Sequence, residues 1–192
     1  LELDETSQIG TAGLVGAIRR GSVSVVNALG AGVLESRALL AFLPRISRAL
    51  AGGPLAMPNI ATWWCGQPAE RSHVLSRLEA MMLAPALSTR QMFDPEESSL
   101  MGSQLRRQGL DYARHLVETE GDMLVGQEAV SFSTSPAWVD GKLVPRPMSL
   151  RVFMVRTASG WSVMPGGFAR IGSDEAAPVF SMQSGSSVAD VW

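Results

Sequence analysis

The chain has 192 residues, 46% of them hydrophobic and 18% charged, with a formal net charge of −2. Enough apolar surface is available to offset ordering entropy, which excludes a disordered chain, and the charge balance offers no basic face for nucleic acid. Cys65 is the one cysteine, and His73 and His115 the two histidines, which excludes an internal disulfide framework, a thiolate metal cluster and a three-histidine zinc site.

In chain order, Thr11 to Arg20 reads as a short helix with Leu14, Val15 and Ile18 on one face, stopped by Gly21. Val23 to Val26 reads as a short β-branched strand that leads into the loop Asn27-Ala28-Leu29-Gly30-Ala31-Gly32. Glu35 to Leu50 has helical spacing, and Pro44 inside it predicts a kink or a restart before Gly52-Gly53-Pro54 ends it. Ile60 to Gly66 is an extended segment, and Pro68 opens a helix to about Ala80. Met81 to Leu83 reads as a buried strand, Leu105 to Glu118 as an amphipathic helix ended by Gly121, and Met123 to Phe132 as one or two strands. Asp140-Gly141-Lys142 marks a turn. Leu150 to Arg156 and Trp161 to Met164 form a hairpin across Ala158-Ser159-Gly160, broken at Pro165-Gly166-Gly167. A last strand is expected at Val179 to Met182 and a Gly/Ser loop at Ser184 to Ser187. Helices interleaved with strands, then a strand-rich second half, give an α+β protein.

Three segments carry candidate chemistry. Asn27 stands where a strand meets a glycine-rich loop and then a helix, which suits a magnesium-phosphate ligand; the same residues equally make a turn that tolerates positive φ. Val125-Gly126-Gln127-Glu128-Ala129-Val130 is an apolar strand that ends in polar residues, either a hinge whose backbone reads an adenine edge or a plain solvated strand end. Arg151 and Arg170 lie at strand ends, where two guanidinium groups converging on one cleft bind phosphate or carboxylate; otherwise they are surface arginines. Trp63 and Trp64 are adjacent in an extended segment and so point to opposite sides, and Cys65 reads as a small buried residue.

Taken together, Val26-Asn27-Ala28-Leu29-Gly30, Phe42-Leu43-Pro44, Ala61-Thr62-Trp63-Trp64-Cys65-Gly66-Gln67-Pro68, Gln127-Glu128, Arg146-Pro147, Leu150-Arg151-Val152-Phe153, Val163-Met164-Pro165-Gly166-Gly167 and Arg170 resemble the circularly permuted ATP-grasp proteins. The resemblance covers nearly the whole chain. It implies an α+β, ATP-grasp-like, circularly permuted fold with mixed or antiparallel sheets and flanking helices, in one fragment spanning 1–192 with approximate lobes 1–80 and 81–192. It implies an ATP- and Mg²⁺-dependent ligase that joins a carboxylate to an amine, with Gln127, Glu128 and Val130 at the adenine, Arg151 and Arg170 as catalytic arginines and Asn27 on the metal. The family's lysine positions are occupied by Ala84 and Ala189, which raises the alternative of a catalytically degenerate scaffold that binds a peptide or protein partner. The expected partners are a small molecule or a peptide, with neither nucleic acid nor membrane. No apolar run reaches the roughly 18 residues of a spanning helix and no secretory leader opens the chain, so the expected compartment is the cytoplasm. The start at Leu1 and the end at Trp192 read as a piece of a longer protein.

Overall fold

A computed structural model describes residues 10–88, 100–102, 107–172 and 187–192. The expected strand at Val179 to Met182, most of the loop at Ser184 to Ser187 and most of the polar stretch after Leu87 lie outside the described residues. The chain divides into two compact units, residues 1–35 and 36–192.

In the first unit, helix α1 (Leu14–Arg19) starts after Gly13, whose φ is 82°, and stops before Gly21, whose φ is 70°. The strand expected at Val23 to Val26 does not form. These residues are bends and irregular backbone, and Val26 is 78% exposed. A β-branched run favours a strand only when a neighbouring strand takes up its backbone groups, and no ladder reaches this segment among the described residues. Asn27 follows with φ 68°, then Gly30 with φ 88°, and a 3₁₀ turn spans Ala31–Glu35.

The second unit opens with α2 (Arg37–Leu40) and α3 (Leu43–Ala51). The single helical pattern is split because Pro44 has no N–H to give to a preceding turn; the chain breaks at Ala41-Phe42 and restarts with Pro44 in the first turn of α3. Gly52, with φ 73°, ends α3. Strand β1 (Thr62–Trp64), helix α4 (Pro68–Ser76), strand β2 (Met81–Pro85), strand β3 (Leu100–Met101), helix α5 (Arg107–Thr119) and strand β4 (Leu124–Glu128) follow. The four strands make an antiparallel sheet in the order β1-β4-β2-β3.

Alternation along the strands divides this sheet into two faces. Gly126 lies opposite Trp63 on one side and Leu83 on the other. Leu83 joins Cys65, Val74, Leu78, Ala113, Val117 and Leu124 in the larger core cluster, with Trp63 against it. On the other face Val125 lies between Trp64 and Ala84, in a cluster with Ala86 and with Ala38 of α2. Helices α4 and α5 therefore cover the first face, and α2 meets the second. Gly126 is required at its position: a Cβ there would come 2.5 Å from Cγ2 of Val74, so its absence lets α4 settle on the central strand. On α5, Ala113 and not Tyr112 takes the buried position.

The second sheet is an antiparallel meander, β5 (Thr134–Val139), β6 (Lys142–Thr157), β7 (Gly160–Ile171) and β8 (Ser187–Val191). Asp140 and Gly141 form the first two-residue turn, both with positive φ (49° and 77°), as a twist-compatible hairpin requires. Thr157 pairs with Gly160 across Ala158-Ser159 in the second. Pro165-Gly166-Gly167 does not end β7. Val152 pairs with Gly167 and Met154 with Val163, so three residues of β7 stand against Phe153 alone. The irregularity is a bulge, which accommodates a proline within a sheet. Among the described residues, no helix is long and apolar enough to cross a membrane.

Candidate functional site

The register of the second sheet decides where its arginines point. Arg151 pairs with Phe168, and Ser149 with Arg170. Residues directly opposite share a face, as do residues two apart, so Arg151, Phe168 and Arg170 lie on one side of the sheet. The guanidinium carbon of Arg151 is 6.0 Å from the centre of the Phe168 ring, and that of Arg170 is 5.7 Å from the same centre. Phe153 completes the group, with its ring 6.3 Å from Phe168 and 5.7 Å from the Arg151 guanidinium. These distances are those of cation–π contacts, which hold both charged heads over an apolar platform. Asp190 of β8 pairs with Phe168 and joins the same face, whereas Ala189 pairs with Ala169 on the opposite one. The close approach of β6 and β7 here depends on Gly167, where a Cβ would come 2.4 Å from the Arg151 carbonyl oxygen.

Gln127 occupies a different setting. It is fully buried in the central strand of the first sheet, between Thr62 and Met82. Its Nε2 donates to the Thr62 hydroxyl at 3.0 Å, and that hydroxyl donates to the Ile60 carbonyl at 2.9 Å. Its Oε1 is buried without a hydrogen-bond partner, a costly condition for an amide oxygen. By alternation the side chain lies on the face of Val125 and Ala84, away from α4 and α5. Glu128 and Val130 are exposed where the strand ends. The backbone donors at this end are partly taken: Glu128 N–H bonds the Ala61 carbonyl and Ala129 N–H the Ala80 carbonyl.

Asn27 belongs to the first unit, exposed and in the left-handed region, whereas Gln127, Glu128, Val130, Arg151 and Arg170 all belong to the second. Among the described residues, no three His, Cys, Asp or Glu side chains gather as a metal site. Cys65 is free and fully buried, and burial pushes its thiol up to about 11, which makes it inert as a nucleophile at neutral pH.

Sequence reasoning passed over Arg71. Its Nε donates to the Cys65 carbonyl at 2.8 Å, and Trp64 Nε1 donates to the Asp122 carbonyl at 2.8 Å. The tryptophan-rich run is thereby fastened to Gly121–Leu124, the entry to the central strand. The two tryptophans do face opposite ways: Trp63 lies 4.5 Å from the His73 ring of α4, and Trp64 lies 6.1 Å from Phe42.

Helices on the first antiparallel sheet, followed by a second antiparallel sheet, make this an α+β protein, the class to which ATP-grasp-like folds belong. The chain belongs to the circularly permuted ATP-grasp type 2 family, which it matches over residues 1–172. It is 34% identical over 167 residues to an uncharacterised protein of Mycobacterium tuberculosis, covering 87% of this chain and 18% of that protein. It is 30% identical over 181 residues to a Frankia alni protein named "Putative glutamate–cysteine ligase 2-3", covering 93% of this chain and 20% of that one. A second uncharacterised M. tuberculosis protein is 28% identical over 195 residues, with 34% of its length covered. The chain thus spans about a fifth to a third of these relatives.

Proposed function

We propose that this chain is part of an ATP-dependent ligase that joins a carboxylate to an amine in the cytoplasm. The observation that carries this reading is the pair Arg151 and Arg170, both within about 6 Å of one phenyl ring on a single sheet face. Two guanidinium groups on one apolar platform suit a phosphate or carboxylate in bidentate contact. ATP, when bound, supplies the phosphoryl group that activates the carboxylate for attack by the amine. Glu128 and Val130 stand exposed at the strand end for the adenine, and the buried, unpaired Oε1 of Gln127 accepts from its exocyclic amino group only if that end opens. For Mg²⁺ the fit fails within the described residues: Asn27 is a lone amide with no cluster of acidic ligands among them. The name of the Frankia alni relative supports an amide-forming chemistry, and in this reading the substrate is a small molecule or a peptide.

The test uses the full-length protein with Mg-ATP. A nucleotide present at a hundredfold above its Kd raises stability by about 2.7 kcal/mol. Arg151→Ala and Arg170→Ala should each reduce that gain, and with glutamate supplied as the carboxylate, which takes the phosphoryl group as ADP leaves, hydroxylamine should trap its activated form only in the parent. Absence of both the stabilisation and the trapped product would overturn the reading.

A second reading, a scaffold that binds a peptide without turnover, is favoured by one observation. Ala84 is fully buried against Val125 and Ala86, so an apolar contact occupies a position where the family resemblance implies a lysine. A full-length protein that binds a peptide yet gains nothing from Mg-ATP would support it.

A further inference from the structure

A groove of about 560 Å³ opens between the 3₁₀ turn Leu78–Ala80 and helix α5. Its apolar lining is Leu75, Leu78 and Leu110, which belong to or pack against the core cluster on the helix-covered face of the first sheet. Its charged lining is Arg77, Glu79 and Arg114. Leu110 and Arg114 are four residues apart on α5 and so present an apolar and a cationic group on one helix face. Arg77 and Glu79 belong to the other wall. All three charged side chains are exposed, and among the described residues none has an ion-pair partner.

We propose that this groove binds a zwitterionic apolar ligand of dipeptide size. The volume lies within the range of small-molecule sites and exceeds what a single small ion would fill. Leu75 and Leu110, both half-buried, and the exposed Ala80 take apolar side chains, with the buried Leu78 behind them. Arg77 and Arg114 take a carboxylate, for which guanidinium groups have matching geometry. Glu79 takes the ammonium group, and its charge on the same rim disfavours polyanions such as nucleotides. The site is separate from the arginine pair of the second sheet and from Gln127, whose side chain lies on the opposite face of the first sheet. It adjoins the end of β4, however, because Ala80 contributes to the lining and its carbonyl holds the Ala129 N–H at 3.3 Å.

Calorimetric titration of the full-length protein, without nucleotide, tests this independently of the ligase reading. The probes are Leu-Leu, N-acetyl-Leu-Leu, Leu-Leu-amide and L-leucine. Leu-Leu should bind saturably. Blocking its carboxylate as the amide, or its ammonium as the N-acetyl form, should weaken binding about tenfold, the scale of one charge-assisted contact. Arg77→Ala and Arg114→Ala should weaken Leu-Leu by a similar factor while leaving the far-ultraviolet dichroism unchanged. Glu79→Gln should remove the preference for Leu-Leu over its N-acetyl form. Tighter binding of L-leucine than of Leu-Leu would overturn the dipeptide assignment. Equal affinity for Leu-Leu, its amide and its N-acetyl form, or parent-like binding by both arginine variants, would overturn the site.

Discussion

Arg71 donates through Nε to the carbonyl oxygen of Cys65 at 2.8 Å, which closes helix α4 back onto the strand that precedes it. The same guanidinium lies against Gly121, where a Cβ would come 2.7 Å from Nε. Cys65 N–H in turn bonds the Leu124 carbonyl at 3.0 Å. One cation thus joins β1, α4 and the start of β4. Arg71→Ala leaves the Cys65 carbonyl without this donor and should cost about 1.5–3 kcal/mol, the scale of a hydrogen bond to a charged group. Arg71→Lys should recover only part, since an ammonium group cannot reproduce the Nε geometry. Denaturant titration reads the effect as a lower midpoint at unchanged slope.

Gly126→Ala tests the contact between α4 and the central strand. The added methyl would stand 2.5 Å from Cγ2 and 2.8 Å from Cγ1 of Val74, and neither a helix nor a central strand yields easily. The expected loss is about 1–3 kcal/mol by overpacking. Val74→Ala removes the obstructing methyls, so the double variant should be less destabilised than the sum of the two single changes. Full additivity in the denaturation midpoints would show that the strand shifts away from the helix instead.

Much of this arrangement is legible in the sequence because local rules govern it. The hairpin at Asp140-Gly141 follows from residues that tolerate positive φ, and the restart of the helix at Pro44 follows from a missing N–H. The opposed tryptophans follow from strand alternation. The misreadings are where a local signal needs a remote partner. Val23 to Val26 has strand propensity with no ladder to join among the described residues, and Pro165-Gly166-Gly167 reads as a stop although β6 pairs on both sides of it and β8 pairs from Gly167 onward, so the strand continues as a bulge. Strand β8 itself, at Ser187–Val191, lay beyond reach for the same reason: Ser-Val-Ala-Asp-Val has little pattern until β7 pairs with it. The shared face of Arg151 and Arg170 depends on register, which spacing of nineteen positions cannot encode. Arg71 gave no signal at all, since its partner is a backbone carbonyl.

Cys65 gives a pH-dependent prediction. Burial raises its thiol to about 11, above the ordinary thiol range, so the native state holds the neutral form while the unfolded chain ionises first. The stabilising contribution is complete below the unfolded thiol's pKa and is lost as pH rises through that value toward about 11. Stability should therefore fall on alkaline titration in the parent, and Cys65→Ala should flatten that part of the profile while lowering the neutral-pH baseline by loss of packing. Native protein at neutral pH should resist iodoacetamide, with rapid labelling only in denaturant. Fast native labelling would mean that the thiol is reached by local opening of the β1 end.

Gln127→Met separates a structural from a ligand-binding role for the buried amide. The parent side chain is 0% exposed, holds one hydrogen bond to Thr62 and leaves Oε1 without a partner. Methionine has a similar unbranched shape and no acceptor to satisfy, so the substitution exchanges a modest hydrogen bond for relief of an unpaired oxygen. With a net hydrogen bond near 1 kcal/mol and an orphaned acceptor costing about 1–3 kcal/mol, unfolding stability should hold or rise by up to about 2 kcal/mol. If Oε1 accepts from the amino group of adenine, the full-length parent should prefer ATP to inosine triphosphate, which lacks that donor. The variant should then lose the preference by about tenfold, one hydrogen bond's worth of discrimination. Thermal shifts with the two nucleotides measure both effects in one experiment. A variant that is less stable than the parent marks Gln127 as a structural amide. An ATP preference that survives in a stable variant moves the base contact to Glu128 and Val130 at the exposed end of the strand.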